Sequence, residues 1–184
     1  KGQLPFETAH ILPEHINILW INISAPSLGD SLMDLSSRIL LHDRMVDLFT
    51  DKKNAALYID DKNFRNVYTC KSEINVSKYD LVIIDSYSTR SINIKAAIAP
   101  EIPFIGMYAY FNGPEVNRVL FSFHRLNQLL GFTYNKAEIN KIARTSIAIS
   151  SYDKAIIRKE KLPSSFITIG IGGVWEHRTY GKWN

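Results

Sequence analysis

Residues 16–42 read INILWINISAPSLGDSLMDLSSRILLH. The first eight are a near-continuous apolar run, the pattern of a strand buried on both faces. Small and turn-forming residues follow from Ser24 to Asp30. From residue 31 to 42, Leu32, Leu35, Ile39 and Leu40 recur at helical spacing. The stretch predicts a strand, a short loop and a helix, the opening of a parallel α/β unit.

The same alternation continues along the chain. β-rich runs at 45–49, 67–70, 81–85 (LVIID) and 104–108 alternate with helical stretches at 89–98, stopping before Pro100, and at 114–130. The last of these has Pro near its start and Gly131 just past its end. Residues 146–149 read as strand, 152–161 as helix and 166–171 (FITIGI) as strand again. Continuous apolar strands alternating with helices imply α/β architecture with a Rossmann-like, doubly wound parallel sheet. In such sheets ligands sit beyond the carboxyl ends of the strands, at the topological switch point. The loops after Ile23, Ile84, Tyr108 and Ile171 are therefore the expected carriers of chemistry.

The remaining bounds come from composition. The chain has 184 residues, 46% apolar and 22% charged, enough for one domain with a full core. No apolar run approaches the roughly 20 residues of a membrane span, and the first residues lack a signal-peptide core. The single cysteine, Cys70, excludes a disulfide framework and suits a reducing compartment, so a cytoplasmic location is expected. Residues 1–117 carry 11 basic and 14 acidic side chains, whereas residues 118–184 carry 11 basic and 4 acidic. A basic back half attracts anionic partners, although a solvated lysine-rich helix face gives the same count. No RNA-binding signature is present, and no nucleic-acid partner is expected.

The loop from Ser24 to Asp30 lacks both the dinucleotide G-x-G-x-x-G and the P-loop Gly-Lys-Ser/Thr ending. Its small residues let backbone approach a ligand, and a helix start favours anionic groups. Asp30 has two readings, which are compatible: an N-cap of the helix, or a carboxylate at the mouth of the sheet that takes a proton from an acceptor hydroxyl. Asp85 either faces the cleft or caps the Ser86–Ser88 turn. Ser86, Tyr87 and Ser88 suit sugar hydroxyls as well as a plain turn. Tyr108, Tyr110 and Phe111 either stack on a sugar or cover the core edge. His10, His15, His42, His124 and His177 have no zinc spacing, so no metal and no cofactor is expected. Lys154, Arg158, Lys159 and Lys161 form one basic face, a solvated linker helix or a contact for acidic lipid headgroups.

Several of these segments, in this order, resemble the bacterial heptosyltransferases of glycosyltransferase family 9. Residues 18–41 (ILWINISAPSLGDSLMDLSSRILL) are similar to that family's opening strand, Ser-containing loop, Leu-Gly-Asp and helix. Residues 46–70 resemble its second and third strands, YDLVIIDSYSTRSINIKAAI its next strand and helix, and FSFHRLNQLLGF a later helix. FITIGIGGVWEHRTYGKW looks like the start of its second domain, with Arg178-Thr179-Tyr180 where Lys-x-Trp is usual. The arginine usual just before the first loop is replaced, with Asn22 or Ser24 near its place.

The resemblance implies the N-terminal half of a two-domain, GT-B type glycosyltransferase. It divides the chain into an extension (1–15), a Rossmann-like acceptor-side domain (16–150), a linker helix (151–165) and the start of a truncated donor-binding domain (166–184). It further implies inverting, metal-independent transfer of heptose from ADP-heptose to a lipid-linked inner-core lipopolysaccharide acceptor at the cytoplasmic face of the inner membrane. Asp30 would be the catalytic base, Ser27, Gly29 and Ser86 would meet the acceptor, and Gly172, Gly173 and Arg178 the donor. Taken alone, the 184-residue chain is expected to fold without catalysing. The alternative is a non-catalytic sugar- or nucleotide-binding module of the same fold.

Overall fold

The computed structural model describes residues 2–108 and 117–160, with Pro163 and Ser165. Residues 2–148 contain a five-stranded, all-parallel sheet. Its strands are β1 (Asn17–Asn22), β2 (Met45–Thr50), β3 (Asn66–Tyr68), β4 (Leu81–Ser86) and β5 (Phe104–Tyr108), in the order β3-β2-β1-β4-β5. This is the expected doubly wound, Rossmann-like layout, and the order reverses between β1 and β4. The register places Trp20 beside Leu48 on one side and Ile83 on the other.

The helices are α1 (Leu28–Asp34), α2 (Lys52–Ala55), α3 (Thr89–Ile98), α4 (Arg118–Leu129), α5 (Lys136–Ile142) and α6 (Ser151–Lys159). Side chains alternate along each strand, so the sheet feeds two cores. Ile18, Trp20, Leu48, Ile83 and Ile105 pack with Leu35, Phe123, Leu126 and Ile139 on one face. Leu19, Ile21, Phe49, Val82 and Ile84 pack with Ala99 and the α3 isoleucines on the other. That two-sided burial is why β1 and β4 read as continuous apolar runs.

Several boundaries differ from the sequence reading. The helix expected over 31–42 is two pieces: α1 ends at Asp34, and Ser36–Leu41 continues as a 3₁₀ helix. Ser36 Oγ bonds back to Met33 O at 2.7 Å and competes with the helical ladder. Residues 146–149 are not a strand: Ser146 O and Oγ accept from Arg38 Nη2 at 2.9 and 3.1 Å, and Ile147 and Ile149 are exposed. α5, unexpected from the sequence, opens on a capping box between Asn135 and Glu138. α4 begins at Arg118, with Asn117 as N-cap, and ends against Gly131 in the left-handed region at φ 67°. The strand expected at 166–171 lies outside the described residues.

The N-terminal residues run along the β5 edge. Thr8 N donates to Phe104 O at 2.9 Å and Ile11 N to Leu129 O at 2.8 Å. Lys95 of α3 is fully buried against this segment. Its Nζ donates to Gln3 Oε1 at 2.6 Å and to Pro100 O at 3.0 Å, between the rings of Phe6 and Phe104. Residues 149–160, with α6, belong to a second compact unit, and every α6 side chain is exposed.

Gly106, in β5, lies under the Tyr87 ring, whose hydroxyl accepts from Gly106 N at 3.1 Å. A Cβ there would stand 2.6 Å from Tyr87 Cζ and 2.7 Å from Cδ2. Gly106→Ala is therefore expected to destabilise unit 2–148 by about 1–3 kcal/mol, measured by denaturant unfolding. A stability equal to the parent's would contradict this contact. Burial without a carboxylate partner lowers the Lys95 amine from 10.5 to about 8. A depressed folded-state value favours the neutral form, so this contribution is complete above about 10.5 and lost as pH falls through about 8. Unfolding free energy measured across pH 8–10.5 should contain a rise that Lys95→Met lacks.

Candidate functional site

The switch point between β1 and β4 places two loops side by side at the carboxyl edge of the sheet. A buried carboxylate ties them together. Asp85 Oδ2 accepts from Ile23 N at 2.8 Å and Ser24 N at 2.6 Å, and Oδ1 accepts from Ser91 Oγ at 2.5 Å. Asp85 therefore neither faces a cleft nor caps its own turn, the two roles weighed from the sequence. It is 2% exposed and anchors the first loop from the neighbouring strand. Ser24, Ser88 and Ser91 form a hydroxyl cluster around it, with Oγ–Oγ distances of 2.9 Å from Ser91 to both others.

From that anchor the first loop leads into α1. Its N-cap is Ser27, not Asp30. Ser27 Oγ accepts from Asp30 N at 3.2 Å and donates to Asp30 Oδ2 at 2.5 Å. Asp30 is the third helical residue, where a carboxylate is favoured by the unpaired N–H groups of the helix start. The N-cap reading of Asp30 thus passes to Ser27, and the carboxylate is held between Ser27 and a cation. That cation is Arg118, the first residue of α4. Its Nη1 lies 3.3 Å from Asp30 Oδ1, while Nε and Nη2 meet the two oxygens of Asp34 at 2.5 and 2.8 Å. The guanidinium sits 5.6 Å from the centre of the Tyr108 ring. Tyr108 also packs on Phe121, with ring centres 5.0 Å apart.

The two acids differ in setting. The Asp30 side chain is 22% exposed and that of Asp34 4%. Burial pushes the Asp34 carboxyl up to about 6, against the pull of Arg118. Asp47 on β2 is also fully buried, yet it is held below the usual carboxylate range. There burial is outweighed by two bonds from Arg65 and one each from Tyr79 and Asn66. Burial pushes the Tyr108 phenol up as well, and its hydroxyl has no hydrogen-bond partner among the described residues.

The remaining expected site residues fall as follows. Ser27 and Gly29 are exposed at the start of α1. A Cβ on Gly29 would meet only Ser27 Oγ, at 3.8 Å, so the fold itself does not require glycine there. Ser86 ends β4 with 9% exposure, and its Oγ accepts from Ser88 N at 3.4 Å. Gly172, Gly173 and Arg178, like Tyr110, Phe111 and Lys161, lie outside the described residues. Among the described residues, no group of three or more His, Cys, Asp and Glu could hold a metal ion. No described helix is long and apolar enough to cross a membrane. Asp34 and Arg118 were missed in the sequence. The available signal was the pair Asp30 and Asp34, four apart on one helix face, which repel unless a cation intervenes.

No family model matches the chain, and no curated protein matches it. Among solved structures it is similar to the E. coli heptosyltransferase WaaC with ADP-2-deoxy-2-fluoro heptose. The identity is 14% and the TM-score 0.48, covering 80% of this chain and 55% of that one. The same enzyme with ADP gives the same identity and TM-score and 54% coverage of its chain. The chain thus spans about half the length of these structures.

The Asp85 anchor makes a local prediction. Asp85→Ala leaves the amides of Ile23 and Ser24 buried without an acceptor, and should cost about 1–3 kcal/mol in unfolding free energy. Hydrogen exchange at these two amides should become faster than that of neighbouring β1 amides. Unchanged protection there would show that the loop is held by something else.

Proposed function

We propose that this chain is the acceptor side of an inverting, metal-independent glycosyltransferase of the heptosyltransferase type, with Asp30 as general base. The observation that supports this best is the setting of Asp30. It is partly exposed at the carboxyl edge, in the Leu28-Gly29-Asp30 sequence that resembles the family motif. Two partners orient it, and neither removes its capacity to accept. A carboxylate offers about four acceptor positions, and Ser27 and Arg118 occupy two of them. The free positions suit an acceptor hydroxyl.

In the proposed reaction Asp30 takes the hydroxyl proton as the acceptor oxygen attacks the anomeric carbon of the donor sugar. The bond from that carbon to the donor phosphate oxygen breaks, and the nucleoside diphosphate leaves with the electron pair. Attack opposite the leaving group inverts the centre. Ser27, the Gly29 backbone and Ser86 are assigned to the acceptor side. Gly172, Gly173 and Arg178 are assigned to the phosphates of the donor, ADP-heptose, since a guanidinium matches phosphate oxygens two at a time. The acceptor proposed is a lipid-linked inner-core oligosaccharide, met in the cytoplasm at the surface of the inner membrane.

The test is a transfer assay on the full protein with ADP-heptose and an inner-core acceptor. Asp30→Asn should lower kcat by roughly 10²–10⁴, the usual weight of a general base, with thermal unfolding unchanged. Near-parental turnover in that variant would remove Asp30 from the chemistry. Acceptor binding without any transfer by the parent protein would favour a non-catalytic sugar-binding module.

A further inference from the structure

Arg118 stands between two carboxylates and divides its donors unequally. The Nε and Nη2 edge goes to Asp34, at 2.5 and 2.8 Å, and only Nη1 reaches Asp30, at 3.3 Å. A guanidinium left to pair with Asp30 alone would close on it with two bonds, the geometry an arginine fork prefers. A carboxylate so neutralised is a weaker base, and its acceptor positions are filled.

Resting on the reading of Asp30 as base, we propose that Asp34 is a positioning residue for it. Asp34 holds the forked edge of Arg118, so the guanidinium orients Asp30 through one donor instead of capturing it through two.

The surroundings fit that role. Ser122 Oγ of α4 donates to Asp34 O at 2.8 Å and contacts Ser37 Oγ at 2.7 Å, so α1 and α4 are fixed in height at this point. The Tyr108 ring packs against the guanidinium from β5. The titratable groups facing Asp34 are Arg118 from α4, Tyr108 from β5, Asp85 from β4, Asp30 on its own helix and Tyr58 from the segment after α2. Only Arg118 among them is cationic, and burial holds the Asp34 carboxyl near 6. Asp34 is ionised at neutral pH. Below about 6 it takes a proton, and on this proposal the forked edge of Arg118 is then free to turn to Asp30.

Two measurements test this. In the transfer assay on the full protein, Asp34→Asn should lower kcat roughly 10-fold, because a carboxylate captured by the arginine fork accepts the hydroxyl proton less readily. It should leave the donor KM unchanged and remove the fall in kcat centred near pH 6 that the parent shows. Asp34→Glu should restore most of both. In the isotope-labelled chain, the Arg118 Nε–H resonance should keep its position in Asp30→Asn, shift as pH falls through about 6 and be shifted in Asp34→Asn, because its partner carboxylate changes. Should Asp34→Asn not fold, Arg118→Lys, which keeps the charge without the fork, should give the same altered pH profile. Parental kcat and pH profile in Asp34→Asn or Arg118→Lys, or an Arg118 Nε–H indifferent to Asp34→Asn, would overturn the proposal. If Asp30→Asn abolishes transfer while Asp34→Asn is silent, the base survives and the positioning role falls. If Asp30→Asn is silent, both fall.

Discussion

The carboxylate of Asp85 is the interaction on which the site depends. It lies near the end of β4, buried, and accepts the first two backbone N–H groups beyond β1. Those groups leave the ladder just where the chain must turn from strand to loop, and a buried N–H without an acceptor is costly. One side chain from the neighbouring strand answers both. The loop is thereby fixed in height above the sheet, and Ser27, four residues after Ile23, is placed to begin α1. Through Ser27 the position of Asp30 follows. The reversal of strand order between β1 and β4 brings the anchor and the loop together.

Around that frame the buried charges are treated in different ways. Asp47 has a forked arginine, a tyrosine hydroxyl and an amide, and its charge is well compensated. Arg38 and Asp61 pair at 2–3% exposure, and Arg38 also reaches Leu35 O and Ser146. These are ion pairs with their other hydrogen bonds met, the condition under which buried charge is tolerated. Asp34 is different. It has one cation, shared with Asp30, and a burial cost that Arg118 does not fully offset. An incompletely compensated charge beside a partly exposed carboxylate is a local cost in stability at the carboxyl edge, where ligands of this fold class bind.

Much of the fold was legible because burial on two faces writes itself into composition. β5 and α3 have the bounds their patterns suggest, and β1, β2 and β4 differ by a residue or so. Illegible features are those where the hydrophobic pattern and the backbone part company. The apolar spacing from Leu32 to Leu40 continues unbroken while the helix changes type after Asp34. In α5 only Ile139 is buried, so its periodicity is weak and only the Asn135–Glu138 cap marks it. Residues 146–149 have strand composition but are engaged by Arg38. Within the site, Asp30 could be found from its loop. Arg118 could not, because its pairing with Asp34 spans 84 residues and depends on how α4 crosses α1.

The proposed function requires that the carboxyl edge at the β1–β4 switch point receive a sugar acceptor. Amide chemical-shift mapping of the labelled chain with a soluble inner-core lipopolysaccharide oligosaccharide tests it most directly. Perturbations are expected at Ser24, Ser27, Gly29, Asp30, Ser86 and Arg118. Perturbations confined to the opposite edge of the sheet, around Asn17 and Asp80, or none at all with the acceptor in excess, would contradict it.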